Sequence, residues 1–412
     1  MDKVDIQKRI KILFIPAFSC HDKVAHAGGQ VCNNYLSKFY NDNNFEVGFA
    51  VRVKDTDIDY IAMKEKYKLA KDFSMIIKSN SIKRYYYSLI TRFYRYFYFN
   101  PKWLITSVSY RDFVNKTVKK IKRLWYPDVV ILDWTQINIW AEIVRKVFAN
   151  SKIVSFEQDV SFLGIKRRYP TNLKIQEKFK LEEIKALKVV DLVITLNEKD
   201  KLALLPYINE DKIKVVHPYY HAYGKEDQNF DKRNGILFFG AMGRSENIEA
   251  VEYFLKEVFP FIRNKSQIVF YCVGGGVKEF LINKYKADSI KFTGYVEDPS
   301  EYFDKSFCMV VPLFHGAGIK VKVLEGMASG LPVITNDIGI EGIPALNKYH
   351  YIHCNSSEEY INAIDELFAN KEKCKFYSKN AIEFIKENFD LNKSYLEYKE
   401  AIINLFLSKE EK

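Results

Sequence analysis

The chain has 412 residues, 48% hydrophobic and 28% charged, with only 18 glycines and 11 prolines. This is a globular composition, long enough for two cores of ordinary size, and it excludes a disordered or membrane-embedded chain with long linkers. The formal charge of +11 is local, because residues 52–126 hold 18 Lys/Arg against 6 Asp/Glu and so carry the whole excess. Six scattered cysteines without C-x-x-C spacing argue against a disulfide framework or a zinc site and fit a reducing compartment. The first apolar run, residues 10–18, contains Lys11 and Pro16 and is too short for a leader or a membrane helix. The expectation is a cytoplasmic chain.

In chain order, residues 11–18 (KILFIPAF) read as a buried first strand. A loop with Gly28 and Gly29 follows, then a helix over 31–40 and a second strand over 46–53. Residues 128–133 and 152–156 read as short β-branched strands with an amphipathic helix at 138–149 between them. A helix at 181–190 leads to strands at 191–196 and 212–216. The polar stretch 223–234 reads as a linker. The second half restarts with a strand at 235–239, a helix at 247–262, a strand at 267–273 closed by Gly274, Gly275 and Gly276, and strands at 291–293 and 308–312. A helix at 322–329, a strand at 332–335 and a helical finish complete the chain. Strands alternating with helices at this spacing predict parallel βαβ units and two doubly wound sheets, with ligands beyond the carboxyl ends of the strands.

The most informative stretch is 294–342. After the strand ending at Pro312 comes a loop with His315, Gly316, Ala317 and Gly318, and the next helix opens with Lys320 and Lys322. Lysines oppose the helix dipole there, unless an anion sits between them and the exposed N–H groups. Glu325 follows Lys322 at i, i+3, on the same face, where a carboxylate can accept from both hydroxyls of a ribose. Together these residue types describe a seat for a nucleoside diphosphate. A solvated Lys–Glu pair beside a glycine turn is the plainer reading of the same spacing.

The phrase at 316–334 (GAGIKVKVLEGMASGLPVI) resembles the donor site of the group 1 retaining glycosyltransferases, family 4, in the branch with GxGxKxKxLE. Residues 236–260, 273–276 and 292–298 resemble the same family in the same order. The resemblance implies the α/β fold called GT-B, two Rossmann-like domains facing a central cleft. It would make residues 1–222 an acceptor-binding domain with a basic aromatic insertion at about 60–126, residues 223–390 a donor-binding domain, and residues 391–412 a helix packing back on the first. It further implies metal-independent transfer, with retention, from a UDP- or GDP-sugar to a glycan or lipid-linked acceptor in surface polysaccharide or lipopolysaccharide synthesis, without a cofactor. Donor contacts would come from Gly28, Gly29, Gly240, Arg244, Gly274, Gly275, His315, Gly316, Ala317, Gly318, Ile319, Lys320, Lys322, Val323 and Glu325, the last on the ribose.

Departures are visible. Ala317 stands where many relatives carry a first glutamate, and Ala241 and Glu246 stand where they carry a pyrophosphate-binding Arg and Lys. Lys320 and Lys322, with Arg244, are the candidates to supply that charge. Glu157 and Asp159 follow a strand's carboxyl end, where an acid or base would face the cleft; helix capping by Asp159 is the competing reading. His21 and His26 lie in the first loop, with His26 a candidate for acceptor contact. The D-x-D matches at 55–57 and 57–59 read as a solvated loop rather than a metal site.

Residues 81–103 interleave Lys83, Arg84, Arg92, Arg95 and Lys102 with nine Tyr/Phe and one Trp. Three readings stand: contact with an anionic membrane through Arg92 and Arg95, packing of the aromatics on the core, and stacking on single-stranded nucleic acid, the weakest. A sugar-nucleotide epimerase on the same fold and a non-enzymatic membrane or nucleic-acid binder are the competing functions.

Overall fold

The structure is a computed structural model that describes residues 8–408 apart from 23, 25, 26, 55, 56, 79–81, 98, 99, 219, 221, 225–228 and 317, and apart from the side chains of 27, 83, 84, 96 and 97. His26 and Ala317 therefore lie outside the described residues. The chain forms two compact units, Met1–His217 with Asn392–Lys412, and Pro218–Leu391.

The first unit is built on a seven-stranded parallel sheet in the order Lys71–Asp72, Phe45–Phe49, Ile10–Pro16, Val129–Asp133, Lys152–Glu157, Leu192–Thr195, Ile213–Val215. Ile12 lies beside Val47 on one flank and Val129 on the other. The central strands are apolar along their length because helices cover both faces. The order reverses between Ile10–Pro16 and Val129–Asp133, so the carboxyl ends of these two strands open the unit's switch-point crevice.

Several expected boundaries move. The strand expected over 46–53 is two, Phe45–Phe49 in the main sheet and Arg52–Lys54 paired with Met75–Ile77 in a separate ribbon. The two glycines expected in the first loop instead sit in the first turn of helix Ala27–Tyr40. Asp57 caps helix Ile58–Lys66 by accepting from Tyr60 N at 3.2 Å, and Asp59 meets His21 Nε2 at 3.1 Å, which explains the D-x-D match at 57–59 locally, while Asp55 of the other match lies outside the described residues. All six cysteines are buried free thiols.

The basic segment forms helix Ile82–Phe97, a tight turn Pro101–Leu104 and helix Val108–Leu124. It divides its aromatics. Tyr87 and Trp103 are buried, and Tyr94 stacks on Trp103 at 5.3 Å, whereas Tyr85, Tyr86 and Phe93 are exposed. The terminal helix Leu391–Leu407 joins the first unit from Asn392 onward. Its Tyr398 stacks on Phe156 at 5.5 Å and its Lys399 pairs with Asp42 at 2.7 Å.

The second unit has a six-stranded parallel sheet in the order Ile290–Gly294, Val269–Val273, Gly235–Phe239, Ser306–Val311, Val333–Thr335, Ile352–His353. Its order reverses between Gly235–Phe239 and Ser306–Val311. The helix expected over 247–262 runs regularly only over Ser245–Tyr253, then widens over Phe254–Val258 and tightens over Phe259–Phe261, where Pro260 lacks the N–H a regular turn needs. Among the described residues no helix is long and apolar enough to cross a membrane.

Candidate functional site

The second unit gathers most of the expected donor residues at the carboxyl end of its sheet. Strand Gly235–Phe239 ends at Gly240 and strand Val269–Val273 at Gly274, and the two ends are pressed together. A Cβ on Gly274, whose φ is 140°, would fall 1.9 Å from Gly240 O, so no side chain fits between these turns. Met242 N donates to Gly275 O at 2.7 Å and locks one turn to the other.

Strand Ser306–Val311 leads through the glycine loop to helix Val321–Ala328, with Lys320 in the N-cap position. Lys322 extends to the Gly240 turn. Its Nζ donates to Asn247 Oδ1 at 2.5 Å and lies 4.8 Å above the Phe238 ring, while Asn247 Nδ2 donates to Ala241 O at 2.7 Å. Asn247 therefore fixes both the lysine and the turn. Burial first, then the neighbouring Arg244 cation, lower the Lys322 pKa to about 7 against the pull of Glu246 and Glu325. Glu325 is buried as well, and burial raises its pKa to about 8 despite attraction from Lys322 and a long 3.5 Å hydrogen bond from Tyr223 OH. The free protein thus holds a cation and an anion, three residues apart, that are both driven toward neutrality.

The other expected donor residues divide. Lys320 donates to Gly318 O at 2.6 Å and lies 3.6 Å from the buried Glu341 carboxylate, so its charge is partly met within the unit. Arg244 is exposed and paired with Glu246, and His315 is exposed, 3.4 Å from Glu249. Val323 points into the core, and its backbone N–H already bonds Lys320 O at 2.8 Å, so it offers a ligand nothing. Ile319 packs against the same core.

In the first unit, the carboxyl ends of Val129–Asp133 and Lys152–Glu157 meet the first turn of helix Ala27–Tyr40. Gln158 Nε2 donates to Gly28 O and to Asp133 Oδ1, each at 2.9 Å. Gly28 has no room for more: a Cβ there would lie 2.4 Å from Gln158 Oε1 and 2.5 Å from the Trp134 ring. Gly29 is buried beside it. Glu157 does not face solvent, contrary to its expected role. It is fully buried and accepts from Thr135, Asn138 and Ser155 at 3.1, 2.7 and 2.7 Å, and burial raises its pKa to about 7. Its wall is completed by Glu183, which accepts from Ser161 N and Phe162 N at 2.8 and 2.7 Å and so caps helix Ser161–Arg168. Asp159 is half-buried and accepts from Ser161 Oγ at 3.2 Å. Asn247, Glu341, Tyr223 and Gln158 were not expected in either site; a lone polar residue in a helix turn or loop carries no periodic signal.

Residues 233–370 match the family model described as Glycosyl transferases group 1. That span is similar to the group 1 glycosyltransferase domain. It contains the Gly240–Glu325 cradle but not Tyr223, which reaches Glu325 from outside it. Over 193 residues the chain is 24% identical to an uncharacterized 44.6 kDa protein in the cps region of Klebsiella pneumoniae, covering 44% of this chain and 48% of that protein. Over 216 residues it is 24% identical to the O-antigen chain mannosyltransferase RfbU of Salmonella typhimurium, covering 48% and 57%. The matches thus span about half the length of these relatives. The crystal structure of Anabaena Alr3699/HepE in complex with UDP and glucose aligns over 96% of this chain and 100% of its own, with a TM-score of 0.67 and 14% identity. The fold is the GT-B class, with two Rossmann-like units, one of them containing the span that matches the group 1 model.

Proposed function

We propose that the protein is a retaining glycosyltransferase that takes its sugar from a nucleoside-diphosphate donor held by the group 1 domain. The carrying observation is the buried Lys322–Glu325 pair at the close-packed ends of Gly235–Phe239 and Val269–Val273. A diphosphate set against the Gly240 turn, the N-terminus of helix Val321–Ala328 and Lys322 would draw that lysine back to its charged form. It would then stabilise the negative charge that grows on the leaving diphosphate as the glycosidic bond breaks. Lysine and helix donors supply this charge in place of a divalent ion. Glu325 lacks strong donors in the free protein, and two ribose hydroxyls would provide them. The relatives named for a cps region and for O-antigen mannose transfer support a surface glycan or its lipid-linked precursor as acceptor, and the UDP-bound neighbour supports a nucleotide sugar as donor. With Glu157 enclosed, Asp159 is the remaining candidate of the pair for contact with the reacting sugar.

The test is thermal-shift binding of UDP, GDP, ADP and CMP in EDTA, on wild type and on Lys320→Ala/Lys322→Ala. A ligand at about 100 times its Kd stabilises by about 2.7 kcal/mol, well within reach of a melting measurement. A shift with one diphosphate that survives EDTA and disappears in the double variant is expected. No shift with any of them at millimolar concentration would sink the donor site.

A further inference from the structure

A second concentration of positive charge lies in the first unit, on residues that the donor reading does not use. A pocket of about 440 Å³ is lined by Arg52, Lys54, Arg92 and Arg95 together with hydroxyl-bearing residues, among them Thr91 and Ser109, and among the described residues no acidic side chain lines it. Lys54 and Arg92 are exposed and form no ion pair among the described residues. Arg52 is held 4.2 Å over the Tyr110 ring, and Arg95 is fixed by donating to Trp103 O at 2.8 Å. Cations that converge on one space without a carboxylate repel each other, and the fold must hold them there against that repulsion.

Two further features point to an absent partner. Arg52 Nε and Ser109 Oγ are both buried and have no hydrogen-bond partner among the described residues. Buried donors in that state cost free energy unless something accepts from them. Ser107 and Ser109 also belong to the start of the 17-residue helix Val108–Leu124, whose positive end therefore borders the pocket. An oxyanion with several acceptor oxygens answers all three features at once.

We propose that this pocket binds a phosphate ester. Its neighbourhood indicates a lipid as the carrier of that phosphate. Along helix Ile82–Phe97, the pocket residues Ser88, Arg92 and Arg95 adjoin an exposed stripe of Ile82, Tyr85, Tyr86, Leu89 and Phe93. At 3.6 residues per turn those five fall within an arc of roughly 100°, an apolar face with no covering element among the described residues. A headgroup phosphate in the pocket would lay acyl or isoprenoid chain along that face, with the tyrosines at the polar boundary. The assignment does not depend on the transfer reaction.

The test uses the full chain and vesicles of phosphatidylcholine with and without phosphatidylglycerol. Wild type should pellet with the anionic vesicles, and Lys54→Gln/Arg92→Gln should weaken partitioning tenfold or more. The control Lys122→Gln/Arg123→Gln removes the same charge from exposed positions at the far end of helix Val108–Leu124 and should partition like wild type. Glycerol 3-phosphate at millimolar concentration separates the sources. A melting shift in wild type that the pocket variant loses, without vesicle binding, would keep the phosphate site but make its ligand soluble. Equal weakening by both variant pairs would reduce the site to diffuse charge and overturn the proposal, as would the absence of both vesicle binding and any shift.

Discussion

Glu325→Gln should make the free protein more stable at alkaline pH while removing the proposed ribose acceptor. The wild-type carboxyl keeps its proton up to about pH 8 instead of the ordinary 4.5, so from pH 4.5 to 8 the folded state binds more protons than the unfolded one. Stability therefore falls as pH rises through that window. Integrated from pH 5 to pH 8, the loss is about 3 kcal/mol, an upper figure for a fully buried group. Glutamine keeps the shape and has no such term. Lys322, lowered to about 7, contributes the opposite slope above pH 7, because the unfolded chain then holds the proton. It does so in both proteins and drops out of the comparison to first order. For a unit of this size the melting-temperature gap between variant and wild type should widen by roughly 6–12 °C between pH 5 and pH 8. Scanning calorimetry at the two pH values reads it directly. A gap that is constant with pH, or a variant that melts lower at pH 8, would show that Glu325 is not held in its protonated form.

Gly28→Ala should destabilise the first unit by about 1–3 kcal/mol, because the added methyl overlaps both Gln158 and the Trp134 ring. Urea unfolding followed by tryptophan fluorescence measures it, and an unchanged midpoint would place the first turn of that helix elsewhere. Tyr398→Ala should destabilise the same unit by about 3 kcal/mol, since the ring is almost wholly buried against Tyr35, Phe39 and Phe156. A variant within 0.5 kcal/mol of wild type, roughly the scatter of surface substitutions, would mean that the terminal helix is not part of that core.

Much of the fold was legible because parallel strands buried on both faces leave continuous apolar runs, as at residues 10–16 and 129–133. Boundaries failed where one contact outweighs local pattern. Gly28 reads as a loop residue by propensity, yet it lies in a helix, and it is glycine because Trp134 and Gln158 occupy the space a side chain would need. The stretch 223–234 reads as a linker by polarity, yet Phe230 within it is fully buried under the Arg233 guanidinium at 4.6 Å. A single anchoring ring leaves no periodicity to detect. In the proposed donor cradle, the phrase at 316–334 pointed to Lys322 and Glu325, but neither the Asn247 clamp nor the Glu341 partner of Lys320 has a spacing signature, since both reach the cradle through tertiary packing.

The state of the cradle residues follows from the same packing. A core position that required only volume would be filled at less cost by Met and Gln at 322 and 325, because burying ionisable groups without full compensation lowers stability. The chain keeps a lysine shifted down to about 7 and a glutamate shifted up to about 8 within one helical turn. Each is then close to half-titrated near neutral pH, where a small change in surroundings converts it to its charged form. A diphosphate favours the charged lysine and a diol favours the charged carboxylate, so one ligand would relieve both groups. The proton taken up at Lys322 and the proton released at Glu325 would nearly balance. Titration calorimetry of diphosphate binding in buffers of different ionisation enthalpy should therefore show little net proton exchange near pH 7.5. Replacing Glu325 with Gln should expose an uptake of up to one proton, and an unchanged proton count in that variant would show that the pair does not share the ligand.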